Sequence, residues 1–335
     1  MKSLVITLIS TLGISLLLLA LAIVFGGPKA IPALASISQP FKDINYSDLP
    51  QVSYVNARDG QALAYRTYAS LVATSGEDKV SSVVLVHGSS ASSQSMHQLA
   101  VHFQQAGLSV YALDIRGHGE SVPLGKINYL GQLEDDLEDF MLSVKPKGIK
   151  TLVGFSSGGS FALRFAGSGR QAVFDNYLLL SPFISQDSPT SGNNSGGWVS
   201  VGVPRLVGIG IVKQLGINNF NDLAVMGFAL NKTEHVTLTY SYNYDLAMNF
   251  RPLTHYQDNI AAVTRPMAVL VGEDDELFYP EAFALLFAAN AQNSSADHVP
   301  STQLISVTII PKLGHIDMIL TPEALKAALE AVEQF

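Results

Sequence analysis

The pattern of apolar and polar positions changes character several times along the chain, and each change predicts a different element. From Leu4 to Phe25 there are twenty-two residues without a charge, behind Met1 and Lys2. At about 1.5 Å of rise per residue, a helix over that run is long enough to cross a bilayer. Gly26-Gly-Pro28 and the Pro/Ala/Ser-rich stretch to Pro40 then read as a linker. Two short runs, residues 53–57 and 61–68, flank Asp59-Gly60 and predict a β-hairpin. Continuous β-branched or leucine-rich runs follow at 82–86, 109–113, 149–153 and 177–180. Between them lie helical patterns over 94–105, closed by Gly107, and over 130–144, where Leu133, Leu137, Phe140, Met141 and Val144 recur at helical spacing. Another helix is expected to start near Phe161.

Strands without polar alternation, separated by helices, imply a mostly parallel sheet covered on both faces. The regular order stops after Pro182. As far as Arg265 the chain carries a Gly/Asn/Ser-rich loop (191–197), an apolar stretch (201–217) and a tyrosine-rich segment (240–244). Strand and helix then resume at 267–271, 280–290, 304–310 and 322–335. The division expected is therefore an N-terminal anchor or signal sequence (1–28), a linker (29–40), the first part of an α/β core (41–182), an inserted cap (183–265) and the rest of the core (266–335).

Composition sharpens this in three ways. Apolar residues make up 47% of the 335 and charged ones only 14%, which suits one large core. The formal charge of −8 excludes nucleic acid as an expected partner. The absence of cysteine excludes disulfides and thiolate chemistry. For the N-terminus two readings stand. The length of the apolar run and Lys2 favour an uncleaved anchor with the rest of the chain outside the cytoplasm. Ala33-Leu-Ala35 before Ser36 offers a cleavage site and a secreted product. Asn193-Asn-Ser195 and Asn231-Lys-Thr233 fit the N-glycosylation pattern, which matters only in a eukaryotic secretory pathway.

The chemistry begins at Gly154-Phe-Ser-Ser-Gly158, between the strand at 149–153 and the helix after it. Strand, tight turn and helix is the setting in which G-x-S-x-G holds a nucleophilic serine in a strained turn. Backbone crowds such a turn, so the residues two before and two after the serine must be tiny. Only Ser156 meets that condition, because Ser157 would place Phe155 in the first tight position and Ser160 is already helical. In a chain with 27 glycines the motif is weak alone and needs a base and an acid to support it.

His315 follows the last predicted strand directly, on the strand-end edge where parallel sheets gather their chemistry. His97 and His102 lie in a predicted helix, and His235, His255 and His298 lie in the insertion or a polar loop. For the acid, Val271-Gly-Glu-Asp-Asp-Glu276 just past a strand offers Asp275 or Asp274, with Asp187 a third option. The chain order serine, acid, histidine matches one known triad arrangement. Donors for a developing oxyanion are expected from the backbone N–H groups of Ser157, at the helix start, and Ser89, after His87-Gly88.

These motifs together resemble the α/β-hydrolase superfamily, and within it the monoacylglycerol lipase/lysophospholipase-like and proline iminopeptidase-like serine hydrolases. The resemblance rests on His87-Gly88, Asp114-x-Arg-Gly-His-Gly-x-Ser121, Gly154-x-Ser-x-Gly158, Gly272-x-x-Asp275 and Gly314-His315, across residues 50–335 apart from the insertion. It implies the α/β-hydrolase fold with a cap, and favours Asp275 over Asp274 as the triad acid. It also implies that 114–121 is a structural turn, so His118 is not read as catalytic. The expected activity is hydrolysis of a carboxylic ester, medium-chain acyl or monoacyl lipid, through an acyl-enzyme on Ser156, with no metal or organic cofactor. Alternatives are a serine aminopeptidase, which needs carboxylates near the pocket for a free amine, and a slow-turnover ligand-binding protein on the same fold.

Overall fold

The computed structural model describes residues 1–71, 81–192, 196–231, 237–291 and 304–335. Residues 193–195, 232–236 and 298 lie outside that set, so both glycosylation patterns, His235 and His298 do too, in whole or part. Among the described residues, eight strands form the main sheet in the order β1 (Val52–Asn56), β2 (Ala62–Tyr68), β4 (Ser109–Leu113), β3 (Ser81–Val86), β5 (Ile149–Phe155), β6 (Asn176–Leu180), β10 (Met267–Gly272), β11 (Ile305–Ile310). The first two joins, β1 to β2 and β2 to β4, are antiparallel and the rest parallel. This is the mostly parallel sheet that the order of runs implied, in the α/β-hydrolase arrangement that the resemblance implied.

The central strand shows why a continuous apolar run is needed. In β3, Val83 to Val86 are all fully buried. Successive side chains point to opposite faces. Val84 and Val86 join a cluster with α4 (Gln132–Val144) and α5 (Ser157–Ala166), through Leu133, Phe161 and Phe165. Val83 and Leu85 join the opposite cluster with α3 (His97–Gln105) and the last helix (Pro322–Glu333), through Leu99, Phe103 and Leu325. The helical pattern expected from residue 94 begins instead as a 3-10 turn, Ser93–Met96, with Asp114 Oδ1 accepting from the Ser93 N–H at 2.6 Å.

Between β6 and β10 the insertion folds as a three-stranded antiparallel sheet, β7 (Val199–Val201), β8 (Ala224–Phe228) and β9 (Ser241–Asn243), with α6 (Val203–Gln214) and α7 (Tyr244–Asn249). The long apolar helix α1 (Lys2–Phe25) is exposed along nearly all its length, with only Ile23 buried. It is long and apolar enough to cross a membrane.

Its C-terminal end is held to the insertion by Arg205 of α6. The guanidinium donates Nε–H to Ile23 O (2.7 Å), an Nη2 proton to Val24 O (2.7 Å) and an Nη1 proton to Ala224 O (2.8 Å). The last carbonyls of a helix have no intrahelical partner and form its negative end, so a cation there is doubly favoured. Further along, the Leu34 N–H donates to Ala229 O at 2.9 Å and α2 (Ala35–Ser38) follows. The stretch that composition reads as a linker is thus fastened to the insertion. Arg205→Met is expected to cost about 1–3 kcal/mol through the lost charge-assisted bonds, measurable as a lower unfolding midpoint of the full-length protein in detergent.

Candidate active site

The turn between β5 and α5 has the strain its sequence demands. Ser156 sits at φ 54°, ψ −118°, a region that side-chain-bearing residues rarely adopt. The surroundings explain both flanking glycines. A Cβ on Gly154 would lie 2.2 Å from Gly158 O, and one on Gly158 would lie 2.3 Å from Val86 O. The turn is wedged against the end of β3 so that the Ser156 side chain projects above the sheet edge.

His315 comes from the loop after β11 and meets this serine. Its Nε2 lies 3.0 Å from Ser156 Oγ, and its Nδ1 lies 2.8 Å from Asp275 Oδ2. A carboxylate can only accept, so the proton is on Nδ1 and the Nε2 lone pair faces the serine hydroxyl. Asp275, past the end of β10, is itself fixed: its Oδ1 accepts from the N–H groups of Leu277 (2.9 Å) and Phe278 (3.2 Å). Burial alone would raise its pKa, but the facing His315 and those donors outweigh burial and hold it below the usual carboxylate range. Asp274 and Asp187 are both exposed, and neither bonds His315. Glu276 contributes differently, its Oε2 accepting from the backbone N–H of His315 at 3.0 Å. Phe155, Phe278 and Trp198 pack around the imidazole, with ring centroids 4.9, 5.2 and 5.7 Å away, leaving His315 1% exposed.

The two residues expected to supply oxyanion donors lie side by side. Ser89 Oγ and Ser157 Oγ are 2.5 Å apart, and both residues line the cavity over Ser156. Neither backbone N–H has an acceptor among the described residues. The loop carrying Ser89 is braced by the insertion: the Ser90 N–H donates to Tyr242 Oη (2.6 Å), and that hydroxyl donates to His118 Nε2 (2.5 Å). Burial, and then the neighbouring His87, push the His118 pKa well below its ordinary value, which keeps the ring neutral and able to accept. The remaining histidines stand apart from the serine. His87 donates Nδ1–H to Gly88 O (2.7 Å), and His97 lies between Tyr68 Oη (3.0 Å) and Asp48 (3.2 Å). The turn at 114–121 is held by Asp114 Oδ2 accepting from Glu120 N–H (2.9 Å) and Ser121 Oγ donating to Asp114 O (2.6 Å).

Above the serine opens a cavity of about 760 Å³, within the range of small-molecule sites. Its wall is mainly apolar, drawn from the core (Phe155, Phe278), the insertion (Trp198, Leu206, Phe228) and, unexpectedly, Leu34, Ile37 and Phe41. Tyr242, Arg251 and the 34–41 segment went unseen in the sequence, because nothing local marks a residue whose role depends on a distant contact.

Comparison with known proteins bears on the family and the fold. The family model described as serine aminopeptidase, S33, matches residues 77–315. A monoacylglycerol lipase of Mycolicibacterium smegmatis is 37% identical over 109 residues, which is 31% of this chain and 38% of that protein's length. Among solved structures, a soluble variant of monoglyceride lipase from Saccharomyces cerevisiae superposes with a TM-score of 0.62 at 16% identity, over 85% of this chain and 94% of that one. A thermophilic esterase from Thermogutta terrifontis gives 0.55 at 19%, over 85% and 98%. At those identities the likeness shows the fold alone. Because the family match runs from the residues before β3 through His315, the chain belongs to the serine aminopeptidase S33 family of the α/β-hydrolase fold.

Proposed function

We propose that this protein is a serine hydrolase that cleaves carboxylic esters, medium-chain acyl or monoacyl lipid, through an acyl-enzyme on Ser156. The observation that carries the reading is the unbroken chain Asp275–His315–Ser156 opening into an apolar cavity. His315 Nε2 takes the Ser156 proton as Oγ attacks the ester carbonyl, and returns it to the departing alcohol. Asp275 holds the imidazole tautomer and stabilises the imidazolium. The N–H groups of Ser157 and Ser89 receive the oxyanion. A water activated by His315 then releases the acyl group.

The monoacylglycerol lipase relative, 37% identical over 109 residues, supports ester over peptide chemistry. So does the cavity wall, which carries no Asp or Glu among the described residues to hold a free amine. In this reading α1 anchors the enzyme with its catalytic domain outside the cytoplasm, the secreted form after cleavage being the alternative.

The test is hydrolysis of p-nitrophenyl esters from acetyl to palmitoyl by the full-length protein in detergent, beside labelling with a serine-directed phosphonate. The whole chain is required because Leu34, Ile37 and Phe41 belong to the cavity. Activity peaking at one acyl length with label on Ser156 is the expected result. Label without turnover of any ester moves the search to amides, and no label at all favours a binding protein.

A further inference from the structure

Arg251, two residues past α7, is the one Arg, Lys, Asp or Glu among the described residues lining the cavity. It is partly buried, and among the described residues its guanidinium makes a single hydrogen bond, from Nη1 to Gln186 Oε1 at 3.0 Å. No ion pair with a carboxylate forms among the described residues, although Asp187 and Tyr244 act on it electrostatically. Gln186 is neutral and cannot balance the charge. A guanidinium offers five N–H donors in a planar fork, so the bond to Gln186 leaves most of its capacity unused among the described residues. Two arginines with little-exposed side chains, Arg116 and Arg164, are by contrast answered by carboxylates. Arg116 pairs with Asp59 and Asp136 and Arg164 with Glu134.

A partly buried cation with no carboxylate partner carries a cost that a short apolar residue in the same wall would not. Burial indeed disfavours the charged form, with Arg164 adding to that and Asp187 and Tyr244 opposing it. Gln186 links this arginine to the nucleophile's own surroundings. It lies three residues after Phe183, whose N–H donates to Ser156 O at 3.3 Å.

We propose that Arg251 is the recognition point for an anionic group, carboxylate or phosphate, carried by the ester that the cavity receives. The site accounts for an otherwise unmatched charge in an apolar chamber, and it repels the protonated amine that an aminopeptidase would have to bind. It rests on the ester-hydrolase reading only for what happens to the ligand, not for the binding itself.

The experiment has a binding arm and a turnover arm, both on the full-length protein in detergent. Binding of dodecyl phosphate is compared with binding of dodecanol by calorimetry, for the wild type, Arg251→Gln and Arg251→Lys. Circular dichroism checks that each is folded. A preference for the phosphate that falls about 10- to 100-fold in Arg251→Gln and is largely kept in Arg251→Lys is the expected result. Equal loss of both ligands, or no loss of phosphate binding, overturns the proposal.

In turnover, 1-decanoylglycerol 3-phosphate places the anion on the alcohol, and the p-nitrophenyl monoester of sebacic acid places it on the acyl chain. Each is compared with its neutral counterpart as a ratio of kcat/KM. The arm whose ratio collapses in Arg251→Gln identifies which side of the ester carries the charge. Binding that depends on Arg251 with no turnover of any ester would leave this site standing and remove the ester-hydrolase reading.

Discussion

Ser156→Ala is expected to lower kcat for the best ester by a factor on the order of 10⁵–10⁶, while substrate binding stays within a few-fold. The size follows from the geometry. His315 Nε2 faces only that hydroxyl, at 3.0 Å, and the carboxylate behind the ring has no other task in the reaction. Once the oxygen is gone, a base and its orienting acid remain with no nucleophile to activate. The three groups act as a unit, so Ser156→Ala combined with His315→Ala should lose little more than Ser156→Ala alone. A drop in the double variant close to the product of the two single drops would disprove that unit. Asp275→Asn keeps the size of the side chain but offers an NH₂ where Nδ1–H must donate, which favours the wrong tautomer. About 10⁴-fold in kcat is expected there. Stopped or burst-phase kinetics on a p-nitrophenyl ester, with phosphonate labelling as a second readout, measure all four proteins on one scale.

The second large effect falls on the fold. Gly158→Val places a branched side chain where even a Cβ would lie 2.3 Å from Val86 O and 2.5 Å from His87 O. Both obstacles are backbone at the end of a fully buried strand, so neither can swing aside. Relief requires moving α5 away from β3 and opening the cluster that Phe161 and Phe165 fill. Destabilisation above about 4 kcal/mol is expected, enough to prevent recovery of folded protein. Gly169→Ala is the control. Nothing lies within 4 Å of its Cβ position and its φ is ordinary, so stability should change by under about 1 kcal/mol in either direction. Far-UV circular dichroism and thermal unfolding distinguish the two. A folded Gly158→Val protein would mean that the turn is far less crowded than the distances imply.

How far the sequence could be read depended on whether a constraint was local. Gly154 and Gly158 are legible beside Ser156 because the crowding that excludes side chains there acts within five residues. His315 and Asp275 are legible because each follows directly on an apolar strand, and a parallel sheet brings all such strand ends to one edge. The acid needed the added weight of family resemblance, since four consecutive carboxylates give no local reason to choose one; in the folded chain Asp275 is buried and Asp274 exposed.

The insertion was opaque for the opposite reason. Strands of three residues, Val199–Val201 and Ser241–Asn243, are too short to show a period. Tyr242 becomes meaningful only through Ser90, 152 positions away, and Arg205 only through Ile23, 182 positions away. Such residues look like ordinary tyrosine and arginine until the chain has closed.

The clasp of Arg205 on the end of α1, with Leu34, Ile37 and Phe41 just beyond it in the chamber wall, bears on how such an enzyme can change over evolutionary time. Where a leader hangs free, recombination can replace or delete it without touching catalysis. Here the N-terminal segment supplies part of the wall of the chamber over Ser156, and exchanging one reshapes the other. A descendant in which this end was trimmed would inherit a breached chamber, and the range of molecules it accepts would shift with the cut.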